Sequence, residues 1–253
     1  MTNGIQKIFL LYIYIYILYR LFYLFIFILF IMVKYFTIYG ERCSGTNFLM
    51  HAINENFEIE YITKYAWKHF FGFYNFENNE EENETLFIGI IREPISWINS
   101  LYKTMHHIPS HNRENINTLL FNEFYSVYQN TENEILEDRN IITKKRYTNI
   151  FELRKIKNNF LINDMPKIVK NYLLIRYEDL RDNYDIILNF FFTKFNLKKK
   201  NEIYKKIDNY KGSHDILFKT KNIILSSDII NKIKKNINRR QERSLGYNIQ
   251  MYK

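Results

Sequence analysis

The chain holds a single cysteine, Cys43, so an internal disulfide framework is excluded and nothing in it requires an oxidising compartment. That count by itself favours a reduced, cytosolic setting. No internal repeat runs along the sequence, and 253 residues suffice for one domain with a sizeable core. Glycine (7) and proline (3) are scarce, while aromatic residues reach 18%. The residues in excess are Ile, Asn, Lys, Tyr and Phe, whose codons are built wholly or mostly from A and T. The excess therefore reflects an A/T-rich coding sequence, which deprives a Lys run or an aromatic stripe of weight by itself. Hydrophobic (47%) and charged (25%) fractions are those of an ordinary globular protein. A formal net charge of +9 fits an enzyme that binds a polyanionic nucleotide, and equally a nucleic-acid or anionic-membrane binder.

From Ile8 to Val33 every residue is apolar or aromatic except Arg20, a run longer than the roughly 20 residues that cross a bilayer. An Arg in mid-span costs about 2.5–3.5 kcal/mol on insertion scales, which the surrounding Leu, Ile and Phe offset. Lys7 precedes the run and no small-residue cleavage motif follows it, so an uncleaved anchor is expected rather than a signal peptide. A second reading stands beside the first. The alternation Tyr12–Ile17 is what A/T repeats encode, and Met32 stands just ahead of Lys34 and the strand-like run Tyr35–Tyr39, leaving no stem. Translation from Met32 would make residues 1–31 a gene-model artefact. The expected organisation is an apolar N-terminal helix within residues 1–33 and one domain over residues 34–253. The protein is membrane-anchored if the first segment is genuine and cytoplasmic otherwise.

Strand-like apolar runs occur at Tyr35–Tyr39, Leu86–Ile91 and Tyr172–Ile175, each followed by polar residues and then a helical pattern. This βα alternation predicts an α/β fold with a short parallel sheet flanked by helices. Beyond Gly45, Phe48, Leu49, Ala52 and Ile53 have helix-face spacing. Pro94 stands where it opens a helix with Ile95, Ile98, Leu101 and Tyr102 on its inner face. Asn78–Glu84 and Thr104–Asn115 read as polar loops. The chain after Arg181 reads as helical, ending in a basic amphipathic helix over Asp228–Arg243.

The segment Ile38-Tyr39-Gly40-Glu41-Arg42-Cys43-Ser44-Gly45-Thr46-Asn47-Phe48 runs from strand through turn into helix. Its backbone N–H groups and the helix N-terminus would face a bound phosphate. It lacks what a nucleoside-triphosphatase P-loop has: Thr46 stands where the Lys belongs and Asn47 where the Mg²⁺-holding Ser or Thr belongs. Those absences count against an ATP-dependent phosphotransferase.

With Ser44-Gly45-Thr46-Asn47-Phe48 preceded by Arg42, the loop resembles the first loop of the sulfotransferases that use 3′-phosphoadenosine 5′-phosphosulfate (PAPS). Two further matches follow in order. Arg92-Glu93-Pro94 ends a strand and Ser100 follows on the helix, similar to the Arg-x-Pro and Ser of that family's 3′-phosphate site. Tyr177-Glu178-Asp179-Leu180 resembles the Tyr-Glu-Asp-Leu segment after a core strand. The resemblance spans about Tyr35 to Leu180 and is closest to carbohydrate-type members, including those encoded by large DNA viruses. It implies a three-layer, P-loop-like fold and PAPS as donor. Gly40, Arg42, Cys43, Ser44, Gly45, Thr46 and Asn47 would lie at the 5′-phosphosulfate, Arg92 and Ser100 at the 3′-phosphate, and Tyr177 near the adenine. One departure is plain: the family's basic residue directly precedes the Ser, whereas Cys43 does so here.

In-line transfer to a hydroxyl needs a base for the acceptor proton and cations for the leaving phosphate, and no metal. Trp67-Lys68-His69-Phe70 offers His69 as base and Lys68 as cation, with Glu41 as the rival base. His106, His107 and His111 lack Cys or paired carboxylates at ligand spacing, so no metal site is expected. The expected function is sulfuryl transfer from PAPS to a hydroxyl, with carbohydrate as the acceptor class. The expected partners are the nucleotide donor, a glycan or other hydroxyl acceptor and, through residues 8–33, a membrane, with no nucleic acid. The alternatives are an ATP-dependent phosphotransferase and a non-catalytic anchored or nucleic-acid-binding protein on a degenerate sulfotransferase fold.

Overall fold

The structure is a computed structural model and describes Tyr14 and residues 16–20, 33–208 and 225–251. Four parallel strands form its sheet in the order β2-β1-β3-β4: β1 Tyr35–Tyr39, β2 Glu60–Tyr61, β3 Thr85–Ile91 and β4 Tyr172–Arg176. All pairings are parallel, with Tyr39 opposite Gly89 and Ile91 opposite Arg176. The three strand-like runs of the sequence are thus strands, within a residue at their ends. Every residue of β3 is buried, as a central parallel strand requires when helices cover both faces.

Among the described residues from Val33 onward the α-helices are, in order, α1 Thr46–Asn56, α2 Glu80–Asn83, α3 Pro94–Thr104, α4 Ile116–Phe121, α5 Ile150–Asn159, α6 Met165–Ile168, α7 Tyr177–Asp182, α8 Tyr184–Phe195, α9 Ser227–Asn236 and α10 Arg239–Ser244. One sheet face carries Phe36, Ile38, Leu86, Ile88 and Ile90 against Leu49, Ala52 and Ile53 of α1 and Leu188 and Phe191 of α8. The other carries Tyr39, Phe87 and Ile91 against Phe71, Phe160, Leu161 and Met165. The alternation along each strand produces this division. Each fully buried large apolar side chain contributes about 1.5–3 kcal/mol relative to exposure. A third cluster packs α3, α4, α5 and α9 together around Trp97, Leu120, Leu153 and Ile233.

Two local readings change. The acidic stretch around Asn78–Glu84 holds a helical turn, because Asn79 and Glu82 form a capping box. The basic C-terminal helix is two helices, α9 and α10, with Asn238 capping the second through Gln241 N. The apolar N-terminal segment lies mostly outside the described residues, and among those described no helix is long and apolar enough to cross a membrane.

Candidate functional site

Parallel strands end at one edge of a sheet, so Tyr39, Ile91 and Arg176 bring the segments that follow them to the same place. After β1 the chain turns sharply. Ser44 donates from both its N–H (3.1 Å) and its hydroxyl (2.6 Å) to Glu41 O, and Cys43 and Gly45 adopt positive φ of 64° and 101°. A Cβ at Gly40 would stand 2.5 Å from Ile90 O and 2.7 Å from Ser44 Oγ, so only glycine fits there. Gly45 precedes α1 without a side-chain cap, and α1 has no acidic residue in its first turn. The first N–H groups of this eleven-residue helix therefore face outward with their partial positive charge uncompensated. By contrast the N-terminus of α3 is closed by Glu93, whose carboxylate accepts from Ile95 N (3.0 Å) and Ser96 N (2.7 Å).

Gly40 is held on both its backbone groups by the segment after β2. Its N–H donates to Lys68 O at 2.9 Å, and its carbonyl accepts from His69 Nδ1 at 2.7 Å. Because a carbonyl only accepts, Nδ1 carries the proton and Nε2 the lone pair. Burial, followed by the Arg42 charge, drives the His69 imidazolium well below the usual histidine range, with Lys68 and Lys157 adding to the effect. The ring is neutral at pH 7. Lys68 Nζ donates to Asn47 Oδ1 in the first turn of α1, which sets an ammonium beside the helix N-terminus.

Arg42 and Glu41 take a different position from the one their place in the motif implies. Arg42 is buried, and its Nη2 donates to Ser126 Oγ (2.5 Å) and Asp138 Oδ2 (2.9 Å) while Phe70 lies under the guanidinium. Its backbone carbonyl accepts from the Trp97 indole at 2.8 Å. Glu41 Oε1 is 2.8 Å from Lys157 Nζ, which also donates to Asp138 Oδ1 and, at 2.7 Å, to His69 O. Two carboxylates and two cations thus balance in a buried cluster beneath the loop. Burial raises Glu41 against the pull of Lys157. Burial also opposes ionisation of Asp138, but the charges of Lys157 and Arg42 outweigh it and hold that carboxyl low. Glu41 is an ion-pair partner in this arrangement, whereas His69 keeps a lone pair.

Arg92 leaves the end of β3, donates from Nη1 to Cys43 O at 2.9 Å and lies 4.7 Å from the centre of the Tyr177 ring. Its Nε is buried without a protein partner among the described residues. Tyr177 is buried under the loop: a Cβ at Gly45 would come within 2.4 Å of its ring, and Phe48 meets it edge-on. Ser100 lies half-buried along α3, its carbonyl accepting from Thr104 Oγ1, and no hydrogen bond among the described residues joins it to Arg92 or the loop. Gly40, Cys43, Gly45, Asn47, Lys68, His69, Arg92 and Tyr177 therefore meet at one edge, with Thr46 buried in the same turn. Ser126, Asp138 and Lys157 give no local signal in sequence; each is an ordinary polar residue until the fold places it.

No family model, curated protein or solved structure matches this chain.

Proposed function

We propose that this protein is a sulfotransferase that moves a sulfuryl group from PAPS to an acceptor hydroxyl, with carbohydrate as the acceptor class, on a three-layer, P-loop-like fold. The observation that carries the reading is the double hold on Gly40, which sets a neutral imidazole and, through Asn47, an ammonium beside an uncapped helix N-terminus. The residues fit a phosphosulfate. The cradle at Gly40 excludes any side chain, the first N–H groups of α1 are unopposed, and Arg92 Nε is an orphaned buried donor. Lys68 and Arg92 are the cations of the donor site in this reading; Arg42 gives its Nη2 to Ser126 and Asp138, and its buried Nε and Nη1 find no protein partner among the described residues. Tyr177 supports Gly45 from below.

As donor substrate, PAPS supplies an activated sulfuryl group: the acceptor O–S bond forms as the S–O bond to phosphate breaks, and the electron pair leaves on the phosphate. His69 Nε2 takes the acceptor proton. Its Nδ1–H bond to Gly40 fixes the tautomer that makes this possible. Lys68 and the N–H groups of α1 receive the charge that develops on the leaving phosphate.

Thermal unfolding of the full chain with 3′-phosphoadenosine 5′-phosphate plus EDTA, set against ATP plus Mg²⁺, tests the reading. A ligand specific for the folded state adds about 2.7 kcal/mol at 100 times its Kd. Stabilisation by the bisphosphate without metal is the expected result. Stabilisation only by ATP with Mg²⁺ would make the protein a phosphotransferase, and no shift with either would favour a non-catalytic role.

A further inference from the structure

The chain has two tryptophans against 22 phenylalanines and 21 tyrosines. Unlike Phe and Tyr, tryptophan is not enriched by A/T-rich coding, since its single codon is UGG. Trp97 is 1% exposed and serves the core. Trp67 is 50% exposed, two residues before His69. Large aromatic rings are normally drawn inward, so a half-exposed indole beside a candidate base is the informative case.

Trp67 stands on an anchored segment. Its carbonyl accepts from Phe70 N at 2.8 Å, and Lys68 and His69 are bound to Gly40. Lys68 Nζ, which donates to Asn47 of α1, is 5.2 Å from the centre of the indole, so one ammonium links the ring to the mouth of the phosphate loop. The neighbours of Trp67 in sequence, Ala66 and Phe71, pack on the sheet face opposite the one that carries Tyr177 and Phe48. The segment that carries Trp67 and the ring of Tyr177 thus belong to opposite faces of the sheet. If Arg92 and Tyr177 lie toward the donor, as the sulfotransferase reading has them, the side left for an acceptor is that of Trp67 and His69.

We infer that Trp67 is the acceptor platform, on which the C–H face of a sugar ring stacks with a hydroxyl directed to His69; this rests on the sulfotransferase reading of the same site. The C–H bonds of a pyranose ring carry partial positive charge and meet the negative face of the indole, while the hydroxyls stay in water. A phenol or a steroid instead requires an enclosing apolar cavity that covers both its faces. A single ring open to solvent beside an ammonium suits a polyhydroxylated ring.

The full chain, in a detergent without a sugar headgroup, is titrated by calorimetry and tryptophan fluorescence. The probes are unsulfated tetrasaccharides of glucuronate–N-acetylglucosamine, N-acetylglucosamine, mannose and galactose, then 2-naphthol, then 3′-phosphoadenosine 5′-phosphate. At least one tetrasaccharide should bind and perturb the exposed indole. Trp67→Ala should weaken that binding by about tenfold or more, and Trp67→Phe by less, with bisphosphate affinity within about twofold throughout. Four results each overturn the assignment: unchanged sugar affinity in Trp67→Ala, no sugar bound by the wild type, 2-naphthol bound in place of every sugar, or a parallel loss of bisphosphate affinity. If the bisphosphate binds no variant while sugar binding follows Trp67, the donor assignment fails and the platform stands.

Discussion

Lys157 Nζ donates to the backbone carbonyl of His69 at 2.7 Å and lies 2.8 Å from Glu41 Oε1, so one ammonium on α5 joins the segment after β2 to the turn after β1. Lys157 is 1% exposed and Asp138, its other partner, is fully buried. Lys157→Met would leave two buried carboxylates sharing only Arg42. Removing one member of a buried ionic group costs about 3–5 kcal/mol. Urea unfolding of the variant should show a loss in that range, and a loss under about 1 kcal/mol, the scale of an exposed pair, would mean the cluster is solvated.

His69 makes a separate prediction through its protonation. Its imidazolium is disfavoured in the folded state, so the unfolded chain binds more protons below about pH 6.5, the ordinary histidine value. The stability it contributes is therefore complete above that pH and is lost as the pH falls through the lower folded value. His69→Gln should flatten this part of the stability profile. In the proposed reaction the same group is the base. With Nε2 unprotonated at neutral pH, kcat/KM for sulfuryl transfer should be level around pH 7 and fall only in acid. His69→Gln should lower kcat by about 10²–10⁴-fold, the span of a lost general base.

Gly45 carries two constraints at once. Its φ of 101° is strained for any L side chain, and an added Cβ would meet the Tyr177 ring at 2.4 Å. Gly45→Ala should cost about 1–3 kcal/mol from overpacking alone and weaken bisphosphate binding. Gly45→Ala with Tyr177→Leu should regain part of the stability if ring contact is the cause. Thermal unfolding of the single and double variants separates the two penalties.

The Arg154–Glu242 pair, bidentate at 2.5 and 2.7 Å and almost fully buried, ties α5 to α10. Arg154 also donates to Arg92 O at 2.9 Å. Glu242→Ala should lose about 3–5 kcal/mol, whereas the apolar pair Arg154→Met with Glu242→Leu should recover most of it. A double-mutant cycle in urea measures the coupling.

Much of the scaffold could be read from sequence because local chemistry specifies it. Tyr35–Tyr39 is apolar between polar neighbours, Pro94 opens a helix after a strand, and Ile229, Ile230, Ile233 and Ile237 repeat at helical spacing and are buried. Lys68 and His69 could be picked out in sequence as a cation and a base, but their hold on Gly40 and Asn47 comes from the fold. What stayed hidden was the orientation of Arg42. Its partner Asp138 lies 96 positions further along, at the end of the short 3-10 helix Leu136–Asp138, and no rule of periodicity or capping links two such residues. A motif names a residue but not the direction of its side chain when a carboxylate from another segment competes for it.

The sheet has no hairpin among its described strands, and its two long ladders join residues far apart in the chain: Thr37 pairs with Phe87, and Ile91 with Arg176. Such non-local pairing must close large loops before any contact repays the lost chain entropy, so assembly should be slow. The floor beneath Gly45, Tyr177, belongs to the unit that starts with β4, while the turn it supports is made far earlier. A growing chain therefore carries the turn after β1 unsupported until most of the domain has been synthesised, and any ligand affinity of that turn should appear late and abruptly during biogenesis.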